Sequence, residues 1–127
     1  MIAQILLADD NADVVALIGD YLTQKGHRVI TASDGVALAQ KAAEHRPHLI
    51  ITDIKMPGSY GSSVYHVLQD DPGTRKIPIL FMSAHDADKV ASLLPTDPKT
   101  RFLRKPVDFK TLDAAIAELL PLGGYTP

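Results

Sequence analysis

The sequence predicts an α/β domain, a doubly wound five-stranded parallel sheet with helices on both faces, and three observations carry that expectation. Short apolar runs recur five times along the chain. Longer segments of helical period separate them, and Gly, Pro and Asp punctuate the junctions. Strict alternation of strand and helix then requires right-handed crossovers between parallel strands, because each strand must return in the same direction.

In chain order, the first strand is expected over residues 2–8, followed by a helix carrying Val14, Val15, Leu17, Ile18, Tyr21 and Leu22 at helical spacing. Gly26 stands where a left-handed C-terminal cap would close that helix. The second strand covers 28–32, and Asp34-Gly35 opens a second helix that stops before Pro47. The third strand covers 48–52. A third helix starts near Gly61, carries Val64, Val67 and Leu68, and ends at the turn sequence Asp71-Pro72-Gly73. The fourth strand, 77–82, precedes a short helix around 86–94 that Pro95 closes. The fifth strand, 101–104, leads to Asp108, the N-cap of a last helix bearing Leu112, Ala115, Ile116, Leu119 and Leu120.

Composition bounds the rest. A chain of 127 residues, 46% of them hydrophobic, builds one core and has no room for a second domain, so residues 1–127 read as one unit. A formal charge of −2, from 13 basic and 15 acidic side chains, offers no broad attraction to nucleic acid or to an anionic membrane. The absence of cysteine excludes disulfides, thiolate metal sites and cysteine nucleophiles, and suits the reducing cytoplasm. The N-terminal apolar run is too short for a signal sequence or a membrane span. The five histidines show no i, i+4 pairing of metal-ligand type, and solvated or capping roles are expected for them.

In doubly wound sheets ligands sit outside the carboxyl ends of the strands. Those positions hold Asp9-Asp10 after the first strand, Asp53 after the third, Ser83 after the fourth and Lys105 after the fifth. Carboxylates gathered this closely repel one another unless a cation sits among them. Mg²⁺ fits such a set, since it takes oxygen ligands from one or two carboxylates plus phosphate. A carboxylate is also ionised at neutral pH, so an Asp nucleophile for phosphoryl transfer needs no base.

This pattern, over nearly the whole chain, resembles the receiver domain of two-component response regulators, with their flavodoxin-like (βα)5 arrangement. The resemblance implies that Asp53, in Ile50-Ile51-Thr52-Asp53-Ile54-Lys55-Met56-Pro57, is the phosphoacceptor. It implies Mg²⁺ organised by Asp9, Asp10, Asp53 and the backbone carbonyl of Lys55. Ser83, with the small Ala84 beside it, matches the hydroxyl switch position; Lys105 matches the invariant lysine, and the Lys105-Pro106 bond is expected cis. Phe102 matches the aromatic switch position without a phenolic hydroxyl. Lys55 and His85 hold the variable positions where receivers tune dephosphorylation.

The implied function is a phosphoryl-accepting switch that catalyses only its own phosphorylation and dephosphorylation. Its donor would be a sensor histidine kinase or a histidine phosphotransfer protein. Its signal would leave through the fourth helix, fifth strand and fifth helix, where Lys99, Arg101 and Arg104 cluster, toward a protein target or a linked output domain; none is visible in the chain. A phosphorylation-independent interaction module is the alternative. A haloacid dehalogenase-type phosphatase would want its nucleophile in a DxD pattern after the first strand. An FMN carrier would want a phosphate-cradling loop where the two carboxylates stand. Two segments depart from the family's usual form: Gly58-Ser59-Tyr60-Gly61 after Met56-Pro57, and the connection Pro95-Thr96-Asp97-Pro98-Lys99-Thr100.

Overall fold

The computed structural model describes residues 2–56, 59–83 and 97–125. Within them lie β1 (Gln4–Ala8), α1 (Ala12–Gln24), β2 (Arg28–Ala32), α2 (Gly35–His45), β3 (Leu49–Asp53), β4 (Lys55–Met56), β5 (Ser59–Tyr60), α3 (Gly61–Asp70), β6 (Ile79–Ser83), β7 (Thr100–Arg104) and a C-terminal helix (Phe109–Leu119), closed by a 3-10 turn (Leu120–Gly123). The sheet has the order β2-β1-β3-β6-β7, and every neighbouring pair is parallel. The helix expected around 86–94 lies outside the described residues.

Alternation along the strands divides the core into two layers. Ile5, Leu7, Leu49, Ile51, Leu80 and Met82 point toward α1 and the C-terminal helix, against Ile18, Leu22, Leu112 and Ile116. Leu6, Ala8, Ile50, Ile79 and Phe81 point the other way, against Leu38 of α2 and Val64, Tyr65 and Leu68 of α3. Both faces of the central strands are therefore buried, which is why they read as unbroken apolar runs. Each fully buried Leu or Ile contributes on the order of 1.5–3 kcal/mol relative to an exposed one.

The helix ends follow local chemistry. The Asn11 side chain accepts from the Asp13 and Val14 amides to start α1, Asp34 accepts from Ala37 to start α2, and Asp108 accepts from Thr111 to start the C-terminal helix. Gly26, at φ +95°, turns the chain out of α1 as its position suggested. Arg46 ends α2 in the left-handed region at φ 46°, a role normally left to Gly or Asn, and Pro47 follows. Where the sequence suggested only an unusual loop after Asp53, the chain folds into an antiparallel pair that sets Lys55 opposite Tyr60 and Met56 opposite Ser59.

The described part of the second departing segment, residues 97–100, is held by its own hydrogen bonds. Asp97 accepts from the backbone amides of Lys99 and Thr100, through its side chain and carbonyl respectively, and from the Tyr65 hydroxyl at 2.7 Å. Lys99 Nζ reaches the Arg75 carbonyl at 2.7 Å. The entry to β7 is thereby tied to α3 and to the segment that precedes β6.

Candidate functional site

The chain order reverses between β1 and β3, and the crevice outside their carboxyl ends is where such a sheet accepts ligands. β1 delivers Asp9 into that crevice and β3 ends on Asp53. The carboxylate of Asp9 is buried, and that of Asp10 is exposed. Ligand oxygens of Asp9, Asp10 and Asp53 all lie within 4.8 Å of one another.

Lys105, delivered by the turn after β7, answers two of these charges. Its Nζ donates to Asp9 Oδ2 at 2.6 Å and to Asp53 Oδ2 at 2.8 Å. Burial alone would lower the pKa of this ammonium, but the hydrogen bonds and charges of Asp53 and Asp9 outweigh it and raise the group above the usual lysine value. The second oxygen of Asp9 accepts from the Asn11 amide at 2.9 Å, and that of Asp53 from the Lys55 amide at 3.1 Å. Among the described residues Asp10 makes no hydrogen bond or ion pair. The site therefore holds three carboxylates against one ammonium, and its excess negative charge and all-oxygen donors fit a hard divalent cation.

The other expected residues take the following places. Ser83 is buried at the end of β6, and its carbonyl accepts from the Lys105 amide at 2.8 Å, so the hydroxyl-bearing residue and the lysine share one backbone link. The Lys105-Pro106 peptide bond is cis. Phe102 is half-buried on β7 and packs against the α2 and α3 layer of the core. The Lys55 side chain is exposed. Ala84 and His85 lie outside the described residues.

Two residues join the site that the sequence reading did not single out. Asn11 supports Asp9 through its amide while its side chain caps α1, and an Asn just ahead of a helical period was the available signal. Thr52 is fully buried beside Asp53 and donates to the Asp53 carbonyl at 3.0 Å, a role that only the fold reveals. A cleft of about 400 Å³ also opens from Asp9 and Asp10 between α1 and α2, walled by Val15, Thr31, Ala37 and Lys41.

Comparison with known proteins gives a consistent result. A family model described as the response regulator receiver domain matches residues 5–117. The response regulator PleD of Caulobacter vibrioides is 37% identical over 121 residues, which span 94% of this chain and 26% of PleD. Protein PilH of Pseudomonas aeruginosa is 31% identical over 121 residues, 93% of this chain and 98% of PilH. Among solved structures, a response regulator from Desulfuromonas acetoxidans matches with a TM-score of 0.79 at 30% identity, over 94% of this chain and 97% of that one. The receiver domain of sensor histidine kinase PA1611 from Pseudomonas aeruginosa, with a magnesium ion coordinated in its active site cleft, shares the fold with a TM-score of 0.84 at 22% identity, over 95% and 99% of the two chains.

Proposed function

Because the chain belongs to the response regulator receiver domain family, we propose that it is a phosphoryl-accepting signalling switch in which Asp53 takes the phosphoryl group. The observation that carries this reading is the Lys105 ammonium, 2.6 Å from Asp9 and 2.8 Å from Asp53, beside the exposed Asp10. That arrangement holds a carboxylate nucleophile next to a fixed positive charge, with a further acidic group left to take up a cation.

On this reading a carboxylate oxygen of Asp53 forms a bond to phosphorus as the phosphorus–nitrogen bond of a phosphohistidine breaks. The electron pair leaves on the imidazole, which regains a proton from solvent. Lys105 stabilises the charge spread over the transferred oxygens, most of what such a reaction asks of a protein. Asp9, Asp10, Asp53 and the backbone carbonyl of Lys55 are the groups that would hold Mg²⁺. In an extended strand the N–H and C=O of one residue point to the same side, and the Lys55 N–H already reaches Asp53. When bound, the ion supplies two further positive charges to the phosphoryl oxygens.

The donor on this reading is a sensor histidine kinase or a histidine phosphotransfer protein in the cytoplasm, and the chain performs no chemistry beyond its own phosphorylation and dephosphorylation. Residues 1–127 act as one receiver domain. Phosphorylation draws the Ser83 hydroxyl toward the new group, the small Ala84 next in sequence leaves access to it, and Phe102 is free to move, changing the surface around β7 and the C-terminal helix for a protein target or a linked output domain. Lys55 and His85 tune the lifetime of the phosphorylated state; unchanged hydrolysis rates in both alanine variants would remove that role.

Intact-mass measurement after incubation with acetyl phosphate tests the central chemistry. The expected result is one added phosphoryl group with Mg²⁺ and none with a chelator, whereas no adduct under either condition refutes it. Beryllofluoride with Mg²⁺ should shift the backbone resonances of Phe102 and Arg104, and silence there overturns the proposed output face.

A further inference from the structure

At the end of the sheet opposite the acidic site, two imidazoles do the same unusual thing. His27 Nδ1 accepts from the Ala3 amide at 3.1 Å, and His48 Nδ1 accepts from the Gln4 amide at 2.8 Å. The backbone closes each contact in the other direction, with the Arg28 amide donating to the Ala3 carbonyl at 2.9 Å and the His48 amide to the Gln4 carbonyl at 2.8 Å. β1 is thus gripped on both sides at its entry, by β2 through His27 and by β3 through His48. The construction repeats in the chain: each histidine immediately precedes its strand, after a helix closed by a left-handed residue, Gly26 in one case and Arg46 in the other. His45 and His66, the other described histidines, accept no backbone hydrogen bond.

An imidazole can accept at Nδ1 only while that nitrogen is unprotonated. Protonation puts an N–H against an N–H and leaves an amide at the base of β1, an interior strand, without its acceptor. The amide of Ala3, a residue with 0% exposure, has little water to turn to. We infer that His27 and His48 form an acid-sensitive bracket that holds the base of β1 at neutral pH and releases it on mild acidification. β1 carries Asp9 and Asp10 at its far end, so the bracket anchors the strand that frames the phosphoacceptor site.

The surroundings of His27 favour its neutral ring. Burial pushes the His27 imidazole below its ordinary value, the charge of the amino terminus adds to this, and Asp113 of the C-terminal helix opposes it. Lys25 and Arg28 flank His27 in the chain. His48 meets the Tyr125 ring edge-on, with centroids 4.8 Å apart, and the Tyr125 hydroxyl donates to the Ile2 carbonyl at 2.7 Å; Arg46 stands two residues before it.

Amide exchange at Ala3 and Gln4, followed by NMR from neutral to mildly acidic pH and corrected for intrinsic exchange, tests the bracket. Once the rings protonate, opening should rise by up to about tenfold per pH unit for each proton taken up. Asn places its Oδ1 where His places Nδ1 and does not titrate, so His27→Asn together with His48→Asn should keep these amides protected and flatten the profile. Unchanged protection in the parent, or the same acid response in the double variant, overturns the inference. Ring nitrogen shifts of the parent give a second readout that needs no variant. Both histidines should carry their proton on Nε2 at neutral pH, and an Nδ1–H tautomer in either one refutes the bracket.

Discussion

Replacing Lys105 with Ala should convert the acidic site from a cluster partly offset by one ammonium into one that depends wholly on a divalent cation. The Lys105 ammonium touches Asp9 and Asp53, whose side chains are only 0% and 13% exposed, so these charges have little water to fall back on. With Lys105 gone, two carboxylates with ligand oxygens no more than 4.8 Å apart repel by about 3.5 kcal/mol at an effective dielectric of 20, before Asp10 is counted. Removing one partner of a buried pair costs on the order of 3–5 kcal/mol by experience with other proteins, and the two figures agree in scale. Urea unfolding at neutral pH in a chelating buffer should therefore show the variant about 3 kcal/mol less stable than the parent. Added Mg²⁺ at a hundredfold excess over its dissociation constant contributes about 2.7 kcal/mol by mass action, so most of the loss should return. A variant as stable as the parent in chelator, or one that Mg²⁺ leaves unimproved, would show that the three carboxylates do not share one electrostatic site.

Other perturbations test the frame around that site. Tyr65→Phe removes the hydroxyl that donates to Asp97 and should cost about 1.5–3 kcal/mol in a urea titration, the range for a hydrogen bond to a charged group. Burial on its own would raise the Asp97 carboxyl, but the hydrogen bonds from Tyr65 and the Lys99 amide outweigh it and hold the group below its ordinary value. Its contribution to stability is thus complete above the unfolded value of about 3.9 and lost as pH falls through the folded one. The Phe variant should accordingly lose less stability than the parent over that acid range, and parallel profiles would contradict the assignment. Gly123→Ala places a Cβ 2.5 Å from Pro78 Cδ and should lower stability by about 1–3 kcal/mol in thermal unfolding, while an unchanged midpoint would mean that the C-terminal turn yields freely.

The five long strands were legible because a parallel sheet buries both faces and leaves unbroken apolar runs in the sequence. Their ends were less so. β3 extends to Asp53 and β6 to Ser83 because backbone pairing continues past the last apolar side chain, while β1 starts only at Gln4. The paired segments Lys55–Met56 and Ser59–Tyr60 are too short to carry a period, and the sequence offered only an odd loop. Asp9, Asp10, Asp53, Ser83 and Lys105 could be named in advance because strand ends in this topology are a short list of places and chemistry-bearing residues filled them. Thr52 and the His27 and His48 pair could not, since their roles depend on which backbone groups of other strands lie within reach. The expectation of solvated or capping histidines overlooked a third use, the imidazole as a strand-side acceptor.

Reduction of the phosphorylated chain with borohydride tests Asp53 most directly, because an aspartyl phosphate is converted to homoserine while an unmodified carboxylate is left intact. After treatment with acetyl phosphate and Mg²⁺, peptide mapping should find homoserine at position 53 alone, with none anywhere in an Asp53→Asn variant. Homoserine at Asp9 or Asp10, or its persistence elsewhere in the variant, would contradict the account.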